Sequence, residues 1–404
     1  MTPKKILLMA HDVTLAHLGR PLHLAEGLIA DGHDVTLAAS AESARFLKNF
    51  PGRVHTLAPT GKARFIDNLA KGRPVFDFES LKRFTEEDEA LLATLRPRPD
   101  LVIGDFRITL SISARRAGIP YATITNAYWS PAFTPRFVVP NLPMVPILGV
   151  GLSQLIFDLV RPIAFAVHAH PMNRLRRHYG LDSLGHDLRR IYTDADLALF
   201  SDVPEIYGLP PDSEHGGVFL GPIDWSPDLP RPTWWSEIDE THPVIYVTLG
   251  SSGANELLVP VLEGLRQIDA QVIVSTAGAP LPQTSGKTFC ADYLPGGAAA
   301  DLADLVICNG GSPTAYQALV RGAPVLGIPG NLDQYLNMHY LEKAGLGMVM
   351  RGTQLSATAV TTIAGRLLGE TRFRDAAQAF AQRARRYQTH ARLRQALERL
   401  LPGP

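Results

Sequence analysis

Two glycine-rich turns in this chain have the residue types to hold an anion. The run LVICNGGSPTAYQALV places Asn309, Gly310, Gly311, Ser312, Pro313 and Thr314 directly after an apolar stretch that reads as a strand and before one that reads as a helix. Backbone N–H groups and the positive end of a helix dipole converge at such a junction, and a diphosphate is its natural occupant. Gly310 and Gly311 permit close backbone approach, Ser312 and Thr314 add hydroxyl donors, and Pro313 suits a first helical turn. A second turn, Gly250-Ser251-Ser252-Gly253, follows VIYVTL. Glycines after strands also serve structure alone, so these residues by themselves leave phosphate binding and a plain turn both open.

The longer run from Asn309 to Gln334 resembles the donor-binding signature of inverting, nucleotide-sugar-dependent glycosyltransferases of the glycosyltransferase B fold, the UDP- and macrolide-glycosyltransferase-like family. Gly310, Gly311, Thr314, Gly322, Pro324, Pro329, Asp333 and Gln334 stand in register with that pattern. Tyr293-Leu294-Pro295 is similar to the family's loop that receives the base, and Gly250-Ser251-Ser252-Gly253 to its first phosphate loop. The resemblance implies a donor site built from Gly250, Ser251, Ser252, Tyr293, Leu294, Asn309, Gly310, Gly311, Ser312, Thr314 and Gln317, with Asp333 and Gln334 hydrogen-bonding sugar hydroxyls. Two positions depart from the pattern: Asn309 replaces the family's His and Gln317 its ribose-binding Glu. Asn309 can donate to a phosphate but carries no charge, and Gln317 holds a ribose diol less tightly than a carboxylate. A UDP-sugar is favoured, and a dTDP-sugar stays open.

The same resemblance implies a general base in the first loop of the N-terminal half. Registering the helix on LAEGLIADGHDVT puts His17 there, although proline follows one residue late, at Pro21. An imidazole in a strand-to-helix loop suits deprotonation of an alcohol. His11, nearer the strand end, is the rival. Asp105, ending LVIGD, occupies the place of the family's base-orienting acid, with a turn cap as its plainer role. Asn126, Tyr128 and Trp129 follow a strand and precede Pro131, so they either line an acceptor crevice or pack as core. Asp194-Ala195-Asp196 has metal-carboxylate spacing but opens a strand in the wrong half for the donor, so no metal is expected.

The elements that must carry these residues alternate strand and helix. Lys5–Met9, Val35–Ala39, Leu101–Ile103, Tyr121–Thr125 and Leu197–Phe200 are short apolar runs without alternation, as strands covered on both faces are. After the Pro-, Asp- and Trp-rich stretch 221–243 the pattern restarts with Val244–Thr248, Gln271–Ser275, Leu305–Cys308 and Pro324–Ile328. The expected fold is α/β, with two Rossmann-like domains whose parallel sheets face a cleft as the resemblance implies. Residues 1–220 form the acceptor domain, 221–243 the linker, 244–370 the donor domain, and 371–404 a helical segment that either closes the second domain or crosses back.

Lys and Arg total 39, as do Asp and Glu, so the chain as a whole lacks the positive field that nucleic acid requires. Two cysteines, Cys290 and Cys308, suit reduced thiols in a cytoplasmic protein. The opening MTPKKILLMAHDV reads as a strand rather than a signal peptide. The most apolar stretch, Phe137 to Val167, is cut by Pro140, Pro143 and Pro146 and charged by Asp158 and Arg161, so it reads as an acceptor pocket, a lid or core helix rather than a membrane span. The expected activity is metal-independent, inverting transfer of a hexose from a nucleotide sugar to a hydroxyl of a small hydrophobic acceptor, with no further cofactor. A sugar-nucleotide epimerase or hydrolase on the same scaffold, and a non-catalytic sugar-nucleotide-binding auxiliary protein, are the alternatives.

Overall fold

A computed structural model describes residues 2–250, 255–278, 280 and 286–401. Ser251 and Ser252, two of the expected phosphate donors, lie outside them. Among the described residues, strands β1 (Lys5–Ala10), β2 (Asp34–Ser40), β3 (Arg53–Leu57), β4 (Leu101–Asp105), β5 (Tyr121–Thr125), β6 (Leu197–Phe200) and β7 (Val218–Phe219) form one sheet in the order β3-β2-β1-β4-β5-β6-β7. Strands β8 (Val244–Thr248), β9 (Gln271–Ser275), β10 (Thr288–Ala291), β11 (Leu305–Cys308), β12 (Val325–Gly327) and β13 (Gly347–Val349) form a second, β10-β9-β8-β11-β12-β13. Every strand pair is parallel.

The interior strands are the continuous apolar runs of the sequence. Leu7, Leu8 and Met9 of β1 and Val306 and Ile307 of β11 are fully buried, as helices on both faces of a parallel sheet require. Strands β3, β7, β10 and β13 escape the sequence pattern, and all four are sheet edges. Edge strands are half covered or very short: β3 (RVHTL) buries only Leu57 fully, and β7 and β13 span two and three residues, too short to stand out as runs. In each sheet the order reverses once, between β1 and β4 and between β8 and β11. Loops leave those neighbours in opposite directions, which opens a crevice at the carboxyl ends of the strands.

The chain divides into two compact units, one of residues 1–135, 155–223 and 387–404, the other of 136–154 and 224–386. These boundaries differ from the sequence expectation in two places. Residues 136–154 join the second unit through Asn141, whose Nδ2 donates to the Pro329 carbonyl at 3.2 Å and whose Oδ1 accepts from the Tyr335 hydroxyl at 3.0 Å. The C-terminal segment is two helices with separate attachments. Thr371–Ala384 stays in the second unit, where Phe380 stacks on Tyr316, and Thr389–Leu400 belongs to the first. The Tyr387 hydroxyl donates to Glu205 at 2.7 Å, and Arg394 pairs with Asp31 at 2.9 Å. Gly221, at φ +88°, makes that return possible, because a Cβ there would stand 2.3 Å from the Cβ of Tyr387.

The apolar stretch forms a helix over Val145–His178 that continues through Pro162 and Pro171 and breaks its geometry only at Gly149. Pro146 falls in its first turn, where a missing N–H costs nothing, so it does not interrupt the helix as the sequence suggested. By length and composition this helix alone among the described residues meets the requirement of a membrane span. Its later turns are nonetheless built into the first unit: Ala169, Met172 and Leu175 are buried against Phe65, Phe76 and Ile191.

Candidate active site

In the first unit, the reversal of strand order brings together His17 and Asp105. The β1 and β4 ends are locked by the His11 N–H bonding the Asp105 carbonyl at 3.0 Å. The Asp105 side chain is fully buried, and its Oδ1 lies 2.7 Å from Nδ1 of His17, in the first turn of the Ala16–Ala30 helix. Arg20, one turn along the same helix face, donates Nε to Asp105 Oδ2 at 2.7 Å and Nη2 to Oδ1 at 2.8 Å. This bidentate clamp was not recognised from sequence, although the spacing of three between His17 and Arg20 places both on one face. Arg20 Nη1 reaches Asn126 Oδ1 and Ser201 Oγ, each at 3.1 Å. Asp202 accepts from Asn126 Nδ2 at 2.7 Å and from the Ala127 N–H at 2.6 Å. Asn126 is therefore a buried link in this network, tying the ends of β5 and β6 to Asp105.

The contacts around His17 fix its tautomer. Arg20 Nη2 is 3.1 Å from His17 Nδ1, but both point at the same Asp105 oxygen, which is the closer partner of each. A carboxylate held by a guanidinium accepts only, so Nδ1 carries the hydrogen and Nε2 of this partly exposed ring keeps its lone pair. Phe106, next to Asp105, stacks on the imidazole at 4.7 Å and 11°. Phe106 holds φ +54°, a strained backbone for a bulky residue, and the strain sits where it aims a ring at the base.

From His17 a half-buried aromatic wall continues through Phe106 to Tyr192 at 5.5 Å and on to Trp129 at 5.1 Å. Trp129 is thus linked to the His17 ring through Phe106 and Tyr192. Tyr128 is fully buried, which corrects its assignment to an acceptor wall. His11 is buried against Phe76 and Phe84, and burial, reinforced by the charges of Arg107, His17 and Arg83, pushes its pKa well below the usual histidine value. Its Nε2 has no hydrogen-bond partner. A sealed, neutral ring cannot meet an acceptor, so the geometry favours His17 over His11. Asp194 pairs with Arg115 and Arg176, and Asp196 accepts from the Tyr121 N–H at 2.9 Å, so both carboxylates are structural.

In the second unit, the corresponding reversal gathers Gly250, Asn309, Gly310 and Gly311. Gly250 leaves β8 at φ +66°, and a Cβ there would lie 3.0 Å from Asn309 Nδ2. Asn309 Oδ1 accepts from the Gly311 N–H at 3.0 Å, so its amide nitrogen faces Gly250. Gly310 has φ +76°, and a Cβ on it would strike Met338 at 2.5 Å. Gly311 caps the Ser312–Leu319 helix without a side chain, so the helix end is left to backbone donors. Cys308 donates no charge here, because burial lifts its thiol pKa to about 12. Asn337 Nδ2 binds the Gly310 carbonyl at 2.8 Å, and the Gln334 carbonyl lies 3.5 Å from the place of a Gly310 Cβ, so the Asp333-Gln334 turn adjoins the glycine loop.

Two donor assignments change in detail. Gln334 is a capping residue of the Leu332–Lys343 helix: its Oε1 accepts from the Asn331 N–H at 3.4 Å, which closes a capping box, and from the Gly330 N–H at 2.8 Å. Asp333, in the same first turn, is half-exposed. Gln317 is buried and donates Nε2 to Asp224 Oδ1 at 3.2 Å and to the Trp225 carbonyl at 3.1 Å. Its Oε1 lies 2.7 Å from where a Gly296 Cβ would be, beside the Tyr293-Leu294-Pro295 loop. Tyr293 bonds the Ala277 carbonyl at 3.2 Å, and Leu294 is buried.

Comparison with known proteins identifies the family and the fold. The family described as "Erythromycin biosynthesis protein CIII-like, C-terminal domain" matches residues 259–400. The chain is 41% identical over 383 residues to a PGL/p-HBAD biosynthesis glycosyltransferase of Mycobacterium tuberculosis, covering 94% of this chain and 88% of that one. It is 42% identical over 382 residues to a PGL/p-HBAD biosynthesis rhamnosyltransferase of Mycobacterium bovis, covering 94% and 84%. Among solved structures, a spinosyn rhamnosyltransferase complexed with thymidine diphosphate superposes with a TM-score of 0.68 at 18% identity, over 97% of this chain and 99% of that one. The fold is that of the glycosyltransferase B enzymes.

The neutral burial of His11 sets an acid limit on stability. Its pKa is depressed in the folded state, so below the unfolded value near 6.5 the unfolded chain binds a proton that the native chain refuses, and stability falls as pH falls. His11→Phe keeps the ring packing and removes this proton. Urea unfolding from pH 6.5 downward should show the wild type losing about 1 kcal/mol more per pH unit than the variant; equal slopes would show that His11 titrates freely.

Proposed function

Because the chain belongs to the nucleotide-sugar glycosyltransferase family that includes the PGL/p-HBAD biosynthesis enzymes, we propose that it transfers a deoxyhexose from thymidine diphosphate to the hydroxyl of a small hydrophobic acceptor by single, inverting displacement. The observation that carries this reading is the His17–Asp105–Arg20 constellation, with the partly exposed His17 ring beside an aromatic wall.

Nε2 of His17 takes the acceptor's hydroxyl proton as the oxygen attacks the anomeric carbon. The bond from that carbon to the diphosphate oxygen breaks, and the electron pair leaves with the diphosphate. Asp105 holds the ring and balances the imidazolium, while Arg20 keeps the carboxylate in place. Negative charge grows on the departing diphosphate, where the Ser312–Leu319 helix end, Asn309 and the loop at Gly310 supply fixed positive potential without a metal. Phe106, Tyr192 and Trp129 offer flat apolar faces to an aglycone.

Gln317 tips the donor from uridine toward thymidine. A ribose diol is best held by a carboxylate accepting from both hydroxyls, whereas Gln317 has its nitrogen committed to Asp224 and Trp225 and offers one oxygen. A deoxyribose needs no more than that. The rhamnosyltransferase relative and the thymidine diphosphate bound by the spinosyn enzyme support the same donor class.

His17→Ala should lower kcat by roughly 100- to 10,000-fold while nucleotide binding is unchanged, and NMR of the wild-type product should show the anomeric configuration inverted. A retained configuration contradicts single displacement. For the donor, thermal unfolding with dTDP should rise more than with UDP at equal concentration, because the tighter ligand stabilises the native state more; a larger rise with UDP overturns the thymidine assignment.

A further inference from the structure

Beyond the transfer reaction, we propose that the outward face of the Val145–His178 helix docks this protein on the surface of an anionic lipid bilayer. Within the first unit, Leu155, Leu159, Ile163 and Val167 recur at four-residue steps, so they share one face, and they are 69%, 80%, 65% and 50% exposed. Val160 beside them is 44% exposed. An unbroken aliphatic stripe of this length is unusual on a soluble surface and marks an interaction site. It carries none of the exposed Trp or Tyr that anchor protein interfaces, and its Leu, Ile and Val suit acyl chains.

Geometry and charge select lying on the bilayer over crossing it. The opposite side of the helix is committed to the core through Ala169, Met172 and Leu175, and Asp158 and Arg161 interrupt the apolar run midway. The helix carries Arg161, Arg174, Arg176 and Arg177 against the single acid Asp158. Arg176 is spent on Asp194, while Arg174 and Arg177 are exposed in the last turns. The neighbouring segment 61–74 adds Lys62, Arg64, Lys71 and Arg73 against Asp67 alone. It is held alongside by Phe65 in the shared core and by His168 Nε2 at 3.3 Å from the Gly72 carbonyl. Lys71 pairs with Asp67, Arg64 with Asp77, and Arg174 lies over the ring of Phe78, next to Glu79, which leaves Lys62, Arg73 and Arg177 as the cations of this rim. The whole chain balances 39 basic against 39 acidic residues, so this excess is local. An aliphatic stripe with a basic rim is complementary to acyl chains beneath anionic headgroups.

The test is flotation of the full-length protein with vesicles of phosphatidylcholine alone or mixed with phosphatidylglycerol. The protein should float with the anionic vesicles and progressively less as salt rises. Leu159→Ser with Ile163→Ser should cut binding at least about tenfold, given the apolar area removed. Arg73→Glu with Arg177→Glu should abolish the preference for phosphatidylglycerol, with thermal unfolding of both variants unchanged. The proposal falls if the protein ignores anionic vesicles, or if the serine variant floats as the wild type does. It also falls if the stripe instead holds two copies of the chain together, seen as a dimer that the serine variant dissociates and vesicles do not disturb.

Discussion

The first unit is organised around one buried carboxylate, Asp105, shared by the Arg20 guanidinium and the His17 imidazole. Asp105 has no exposure to water, so a charge there is tolerable only if it is fully paired, and losing a partner from such a site costs about 3–5 kcal/mol. Arg20 supplies that pairing through two parallel bonds, and its remaining nitrogen reaches Asn126 and Ser201. The ends of β4, β5 and β6 are thereby cross-linked through a single guanidinium, and β1 joins by the His11 to Asp105 backbone bond. The same geometry that makes the buried charge affordable leaves His17 with one direction in which to donate. The orientation of the His17 ring and local stability rest on the same atoms.

The second unit solves the opposite problem. Its ligand would bring the charge, so the site contributes dipoles rather than ions: a helix end capped by a residue without a side chain, the Asn309 amide, and a glycine whose left-handed backbone leaves no room for a Cβ beside Met338. A neutral Cys308 thiol at the strand end avoids repelling an anion. Both sites lie where strand order reverses in their own sheet, which is where a parallel α/β fold leaves strand ends uncovered by crossing loops.

Much of this was legible from residues alone because the relevant signals are local. Interior strands announce themselves as apolar runs, and the glycine turn before Ser312 requires backbone conformations that few residues adopt. Edge strands β3, β7, β10 and β13 do not stand out because they are short or incompletely covered. The role of Arg20 depends on Asp105, Asn126 and Ser201, residues 85 to 181 positions away, and no local pattern reveals such a partner. Tyr128 and Trp129 are adjacent in sequence yet one is core and the other faces Tyr192, a distinction made by packing rather than residue type. Of the three prolines expected to interrupt the apolar stretch, Pro140 and Pro143 do precede the Val145–His178 helix, whereas Pro146 falls in its tolerant first turn.

The account depends most on the hydrogen of His17 residing on Nδ1, directed at Asp105. Nitrogen-15 NMR of the imidazole resonances, assigned by comparison with His17→Ala, reads this directly. In the wild type the neutral ring should show a protonated Nδ1 and an unprotonated Nε2, and Asp105→Asn should disturb that tautomer. A ring protonated on Nε2, or one indifferent to Asp105→Asn, would contradict the assignment of His17 as the base.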